Sequence, residues 1–472
     1  MLIRNIIFFV FIDFFCISLH AVNVDTETFG EFGSVKIYSN SDNPTSIAIF
    51  ISGDGGWKSG VVDMAKSIAS MNVMVIGVDI DRYFDHLRKL TTACYYPAAD
   101  FESLSMFVQK KKHLSVYIHP VIIGYSSGAT LAYGIIAQAP EYTFRGGIGL
   151  GFCPDIDLPK HLCKGSGLEC SPLTKKGYDL LPCKLKEPFI ALLGEQDKVC
   201  SPPVVKVFIE KTPKSELVIL PKVGHGFAVT KNWMPQFTAA YQRIISLHEE
   251  KKADLKAKAD ALGAAKPKDL EHLPIKIIPS SKPSKTMLFM ISGDGGWTGF
   301  DQQFSEHLAA QGYPVVGLDA LQYFWAAKTP EEVIKDITPV LNHYLSEWHC
   351  EQFILLGYSF GANVVPFLVN RFSPEIKNKI RLVTMMSPDE KADFEIHISD
   401  MINVFGERGN YNVKSEMLKT KEKTLLIFGT DESRKFDDLP KNQFKEITIS
   451  GGHHYGDNFD ALTNGIISAA KE

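Results

Sequence analysis

Phe353-Ile354-Leu355-Leu356-Gly357-Tyr358-Ser359-Phe360-Gly361-Ala362 decides the fold of this chain. An apolar run with the length of a buried strand stops at a Gly-x-Ser-x-Gly turn and gives way to small residues suited to a helix. A serine on so tight a turn is pushed out at the end of the sheet. Glycines flank it because a Cβ at those positions would meet the neighbouring helix or strand. The turn is written a second time as Gly124-Tyr125-Ser126-Ser127-Gly128, after a strand-like run ending at Ile123 and before the small-residue stretch Ala129 to Ala139. One match to so short a motif is weak; two in the same strand-to-helix context are strong.

Upstream of each serine turn lies a second repeat, Ile51-Ser52-Gly53-Asp54-Gly55-Gly56-Trp57 and Ile291-Ser292-Gly293-Asp294-Gly295-Gly296-Trp297, each closing an apolar strand-like run. A strand that stops at a glycine-rich loop exposes backbone N–H groups. Those near Asp54-Gly55 and Asp294-Gly295, together with the N–H groups of Ser127 and Phe360, are candidate oxyanion holes, because they can hold the charge that develops when a serine attacks a carbonyl. The Asp54 and Asp294 side chains either receive a cationic substrate group or brace the loop. Trp57 and Trp297 pack, or wall a pocket.

A serine hydroxyl is a poor nucleophile, so it needs a histidine to take its proton and a carboxylate to orient that histidine. Downstream of Ser126, Asp197 follows the apolar run Phe189 to Leu193, and His225 follows Leu217 to Leu220. Downstream of Ser359, the turn Gly429-Thr430-Asp431-Glu432 offers two acids and Gly452-His453-His454-Tyr455 offers two histidines. Spacing from the glycine favours Glu432 over Asp431, and the match to Gly224-His225 favours His453; both choices stay open. A turn acid and a loop histidine with no catalytic role are the bland alternative. The order serine, acid, histidine is that of the α/β-hydrolase plan.

Between these motifs, strand-like and helix-like runs alternate, which predicts parallel sheets covered by helices. The expected helices include 61–70, 98–111, 301–311 and 330–347; the expected strands include 34–38, 71–78, 115–123, 189–193, 275–278, 287–291, 314–318, 353–356, 424–428 and 444–449. The fold class is therefore α/β, with two tandem α/β-hydrolase-like domains over 30–248 and 273–472, each a mostly parallel sheet flanked by helices. Residues 249–272, rich in Glu, Lys and Ala at their start, read as a charged linker with a helical spacer.

At 472 residues, 45% hydrophobic and 22% charged, the chain is long enough for two globular cores. A formal net charge of −4 gives no reason to expect a nucleic-acid partner. Residues 1–21 have the basic start, apolar middle and small-residue end of a cleavable signal peptide, which implies secretion to the periplasm in a bacterial cell. Six of the eight cysteines, Cys94, Cys153, Cys163, Cys170, Cys183 and Cys200, fall in the first half after that segment; in an oxidising compartment they read as disulfides of a connectivity that spacing does not fix. Four of them would hold an irregular insertion over 153–183. Cys350 reads as a buried thiol. No Cys-x-x-Cys pair supports a metal site, and no cofactor is expected.

The doubled Gly-Asp-Gly-Gly-Trp and Gly-Tyr-Ser-x-Gly-Ala motifs, with Gly-Gly-His-His near the end, resemble the VirJ/AcvB family of bacterial virulence proteins. The resemblance spans essentially the whole chain after residue 21, in the two-domain, AcvB-like form. It implies a periplasmic protein of α/β-hydrolase fold that hydrolyses the aminoacyl ester of a membrane phospholipid of the lysyl-phosphatidylglycerol type. By motif match, Ser359 is the nucleophile that the family implies. It also implies an association with type IV secretion, which leaves a non-catalytic periplasmic adaptor or chaperone on a hydrolase scaffold as the alternative. The first domain departs from a degenerate accessory copy, since Ser126, Asp197 and His225 are all present.

Overall fold

The computed structural model describes residues 22–472 apart from 59, 262–265, 398–408, 434–435 and 437. The signal-peptide reading of 1–21 thus lies outside the described residues. No helix among those described is long and apolar enough to cross a membrane.

Two sheets carry the chain. The first contains β1 (Asn23–Phe29), β2 (Gly33–Ser39), β3 (Ser46–Ile51), β4 (Val73–Val78), β5 (Val121–Tyr125), β6 (Gly146–Leu150), β7 (Phe189–Gly194) and β8 (Ser215–Leu220). Their spatial order is β1-β2-β4-β3-β5-β6-β7-β8, with β2 antiparallel to both neighbours and every later pair parallel. The second contains β9 (Ile275–Ile278), β10 (Thr286–Ile291), β11 (Val315–Leu318), β12 (Gln352–Tyr358), β13 (Ile380–Met386), β14 (Thr424–Gly429) and β15 (Phe444–Ile449). Its order is β9-β11-β10-β12-β13-β14-β15, with only the edge strand β9 antiparallel. This is the α/β-hydrolase fold, built twice.

Central strands are buried on both faces, as a parallel sheet covered by helices requires. Ile49, Ile51 and Ile122 enter one layer of the first core, while Ala48, Phe50 and Ile123 enter the other. Phe289 and Leu355 against Leu288 and Leu356 repeat that alternation in the second. In each sheet β3 or β10 lies beside the strand that carries the serine turn. The crossover that produces this neighbourhood is what brings the glycine loop to the serine.

Several expectations are corrected. The first domain starts before residue 30, because the polar β1 pairs along the whole of β2 as an edge strand. The strand expected over 115–123 forms only from Val121, with Pro120 immediately before it. Two central strands escaped the reading: β6, whose Gly146-Gly147-Ile148-Gly149-Leu150 lacks an apolar run, and β13. The closing helix of the first domain crosses the boundary expected at residue 248. It runs unbroken from Met234 to Ala261 through the charged stretch, and Leu270 and Leu273 are already buried in the second core. The start of 249–272 is thus helical, as expected of a spacer, while Leu270 and Leu273 near its end already belong to the second domain.

The cysteines also differ from expectation. Cys94 joins Cys163 and Cys153 joins Cys200, so the four cysteines of the insertion do not close on one another. Cys170, Cys183 and Cys350 are free thiols. Instead of a disulfide-held irregular loop, the insertion forms three short strands, Asp155–Ile156, Glu169–Cys170 and Tyr178–Leu181. Two disulfides are bonds of a protein that matures outside the cytoplasm.

The two domains share an interface. The helix Pro97–Lys111 of the first domain sends Met106 into the second domain's core, joined there by Tyr117. Trp325 Nε1 donates to the Leu114 carbonyl at 2.7 Å, and Gln322 Nε2 donates to the Tyr117 carbonyl at 3.0 Å. Lys110 lies 4.7 Å from the Trp325 ring centroid and pairs with Glu395 at 3.0 Å.

Candidate active sites

Each serine turn is a forced geometry. Ser126 has φ 55° and Ser359 has φ 51°, the left-handed region that non-glycine residues seldom occupy. A Cβ on Gly124 would come within 1.9 Å of the Gly128 carbonyl oxygen, and one on Gly128 within 2.3 Å of Ser52 O. At the second turn the corresponding approaches are 2.3 Å from Gly357 to Gly361 O and 2.2 Å from Gly361 to Ile291 O. Helix and strand touch through these glycines, so no larger residue fits.

The glycine loop reaches the serine from the adjacent strand. A Cβ on Gly53 would lie 3.0 Å from Ser126 Cβ, and one on Gly293 would lie 3.5 Å from Ser359 Cβ. Gly56 and Gly296 N–H groups donate back to Gly53 and Gly293 carbonyls, closing a tight turn with Asp54-Gly55 or Asp294-Gly295 at its tip. Ser127 and Phe360 open the helices Ser127–Gln138 and Phe360–Arg371, where a first-turn N–H has no intrahelical acceptor.

Asp54 and Asp294 do not brace this loop. Both are exposed, and neither side chain accepts a hydrogen bond among the described residues. The bracing acids are Asp79 and Asp319, at the ends of β4 and β11: Trp57 N–H donates to Asp79 Oδ2 at 3.1 Å, and Asp319 takes the N–H of Trp297. Sequence reasoning missed this pair, although Gly77-Val78-Asp79 and Gly317-Leu318-Asp319 repeat at the same place. Trp57 and Trp297 pack over the glycines of those repeats, where a Cβ would lie 2.2 Å and 2.0 Å from the rings.

In the first domain the three expected residues form a connected chain. Ser126 Oγ lies 2.9 Å from His225 Nε2, and His225 Nδ1 lies 2.8 Å from Asp197 Oδ2. Asp197 Oδ1 accepts the N–H groups of Val199 and Cys200, both at 2.9 Å. Asp197, Cys200 and His225 approach one another as metal ligands would. However, the Cys200 sulfur is already bonded to Cys153, so it offers no thiolate, and the trio does not fit a metal.

In the second domain the doubled choices separate. His453 Nδ1 lies 2.7 Å from Glu432 Oε1, whereas Asp431 accepts from its neighbour Thr430 and His454 Nδ1 meets the Tyr358 hydroxyl at 2.9 Å. Glu432 Oε2 also accepts from Ser387 Oγ and from Gly429 N–H, each at 2.7 Å. Partial burial alone would raise the pKa of this carboxyl, but Ser387, Gly429 and His453 outweigh it and hold the group below the usual range. Ser387, at φ 49°, is in turn 2.6 Å from the hydroxyl of the buried Tyr455. Ser387 carried no sequence signal, because it follows a strand that was not recognised.

Ser359 and His453 face one cavity of about 640 Å³ without a hydrogen bond between them. Asp294, Phe360, Asn363, Ser387 and Glu432 also line it, together with the acidic run Asp389-Glu390 and Asp393. The tyrosines before the serines steady the histidine loops, since Tyr125 donates to the His225 carbonyl at 3.1 Å and Tyr358 to the His453 carbonyl at 3.2 Å.

Several solved structures are similar to somewhat under half of the chain. A dienelactone hydrolase of Klebsiella pneumoniae, described as putative, is 14% identical, matches 48% of this chain and 99% of its own, and gives a TM-score of 0.34. A dienelactone hydrolase of Anabaena variabilis is 15% identical over 47% of this chain and 97% of its own, with a TM-score of 0.33. Est1E of Butyrivibrio proteoclasticus is 13% identical over 43% and 97%, with a TM-score of 0.30. No curated protein sequence matches the chain. The model of the bacterial virulence protein VirJ matches residues 45–143 and 285–472, more than half of the length, and the chain belongs to the VirJ family.

Proposed function

We propose that the protein is a periplasmic serine hydrolase that cleaves the aminoacyl ester of a membrane phospholipid of the lysyl-phosphatidylglycerol type, at Ser359. The observation that carries this reading is the placement of Ser359, His453 and Glu432 on one cavity whose other charged lining is mostly acidic. Ser359 Oγ attacks the ester carbonyl and His453 Nε2 takes the hydroxyl proton. Glu432 keeps the His453 proton on Nδ1 and stabilises the imidazolium. The N–H of Phe360 and those of the glycine loop receive the oxyanion. His453 then returns the proton to the glycerol oxygen as it leaves, and water releases the amino acid from the serine. The gap between Ser359 and His453 closes when substrate fills the site, as catalytic contacts in empty sites often do.

The charged lining, Asp294, Asp389, Glu390 and Asp393 against the single Lys391, favours an acyl group that carries an ammonium over a plain fatty acyl chain. The first-domain trio Ser126, His225 and Asp197 supports a second nucleophilic site. The test is lysine release from vesicles containing lysyl-phosphatidylglycerol by the full-length protein and by Ser359→Ala. Release lost in the variant supports the assignment, and equal release by both overturns it. A protein that releases none from the vesicles and reacts with no serine-directed probe is an adaptor on a hydrolase scaffold, the second reading, with type IV secretion components as its partners.

A further inference from the structure

The two domains hold their acids by different means. In each, one carboxylate oxygen faces the histidine and the other accepts from elsewhere. Asp197 Oδ1 takes backbone N–H groups, those of Val199 and Cys200. Glu432 is a methylene longer, and among the described residues its Oε2 takes the Gly429 N–H and the hydroxyl of Ser387. A hydroxyl rotates where a backbone N–H cannot, so it fixes a carboxylate only if it is itself fixed.

Ser387 is held at both its backbone and its side chain. Its N–H donates to the Ile427 carbonyl on β14 at 2.8 Å. Its Oγ lies 2.6 Å from the Tyr455 hydroxyl, which also reaches the Ile427 carbonyl at 3.2 Å. A serine has a single hydroxyl proton and an ionised carboxylate only accepts. The Ser387 proton therefore goes to Glu432, and Tyr455 is the donor to Ser387. Tyr455 is fully buried and stacks on Phe300, which fixes its ring. Burial raises its phenol above the ordinary range, so it remains a donor at neutral pH.

The first domain lacks this pair. Gly151 follows β6 as Ser387 follows β13, with its N–H donating to Leu192 of the next strand at 2.9 Å, and the two have left-handed φ values of 66° and 49°. Phe227 follows His225 at the spacing at which Tyr455 follows His453, again with left-handed φ, 47° and 53°. A Cβ on Gly151 would lie 3.2 Å from the His225 ring. Glycine accepts a left-handed position without strain, so a serine there is unfavourable unless its side chain is used. The hydroxyls of Ser387 and Tyr455 thus accompany the longer acid, and both are missing where the acid is Asp197.

We propose that Tyr455 is a positioning residue of the Ser359 site: acting through Ser387, it aims the hydroxyl that holds Glu432 against His453. This rests on the reading of Ser359 as an activated nucleophile. Tyr455 itself is not among the residues that line the cavity.

The experiment is fluorophosphonate labelling of the full-length protein over a range of probe concentrations, with adducts at Ser126 and Ser359 quantified separately by peptide mapping. It separates the maximal rate at each serine from the half-saturating concentration. Tyr455→Phe is expected to lower the maximal rate at Ser359 about fivefold, with the half-saturating concentration and the rate at Ser126 unchanged. Ser387→Ala should lower it about tenfold. The double variant should match Ser387→Ala, because a residue that acts through another adds nothing once the other is gone. A wild-type rate in Tyr455→Phe overturns the proposal, as does a double variant in which the two single effects multiply. Equal slowing at Ser126 and Ser359 overturns it too, since Tyr455 would then serve the fold at large. If wild type forms no Ser359 adduct, the nucleophile falls and the proposal with it; if Ser359 reacts equally in wild type and Tyr455→Phe, the nucleophile stands and only the positioning role is lost.

Discussion

Glu432 illustrates how a single residue can be placed by sequence and explained only by structure. The turn Gly429-Thr430-Asp431-Glu432 announced an acid after a strand, but both Asp431 and Glu432 fitted the spacing. The choice depends on which side chain turns inward, and this is fixed by Ser387, Gly429 and His453 from three other parts of the chain. Replacing Glu432 with Gln is expected to lower kcat for ester hydrolysis at Ser359 on the order of 10³–10⁴-fold with little change in KM, because the amide cannot stabilise the imidazolium. Ser387→Ala gives a gentler test. A carboxyl whose folded pKa is depressed contributes stability above its unfolded pKa and loses it as pH falls through the folded value. The variant should thus be less stable than wild type at pH 7, by about 1 kcal/mol for the lost hydrogen bond, and the difference should shrink as pH falls below 4. Urea unfolding at the two pH values measures it; a difference that grows toward acid would contradict the account.

At the scale of elements, the serine turns were legible because they are forced. Only glycine fits where Gly124 meets Gly128, so the motif advertises the packing. The disulfides were not legible, since connectivity depends on which loops fold near one another. Their arrangement has a consequence for the first site. Cys200 N–H donates to Asp197, and Cys200 is tied to Cys153 just beyond β6, so the bridge holds the acid loop against the sheet. The paired replacement Cys153→Ser with Cys200→Ser should therefore reduce the rate of fluorophosphonate labelling at Ser126 several-fold and leave that at Ser359 unchanged. Mapping of labelled peptides would show this. Equal effects at the two serines would mean that the bridge supports the whole molecule and not one site.

Across the whole molecule, the repeat predicted two similar domains but not their contact, because the residues that make it, Glu102, Met106, Tyr117 and Trp325, look like ordinary helix and loop positions in sequence. Contacts of this kind are expected to couple the unfolding of the two domains. Trp325→Ala removes a ring that meets Lys110 and Tyr117 and donates to Leu114; truncation of a buried Trp costs about 3–5 kcal/mol. Calorimetry should resolve two unfolding transitions in that variant where wild type shows closer coupling. Glu102 adds a pH signature. Its folded pKa is raised to about 8, so its contribution to stability is fully present below its unfolded value and is lost as pH rises toward 8. Glu102→Gln should accordingly flatten the fall in stability between pH 5 and 8.5. The catalytic expectations assume activated serines at the sheet ends, and the most direct measurement is reaction of the full-length protein with a fluorophosphonate followed by mass-spectrometric mapping of the adducts. The account predicts modification of Ser126 and Ser359, each lost when its own histidine, His225 or His453, is replaced by Ala. Modification of neither serine would contradict it.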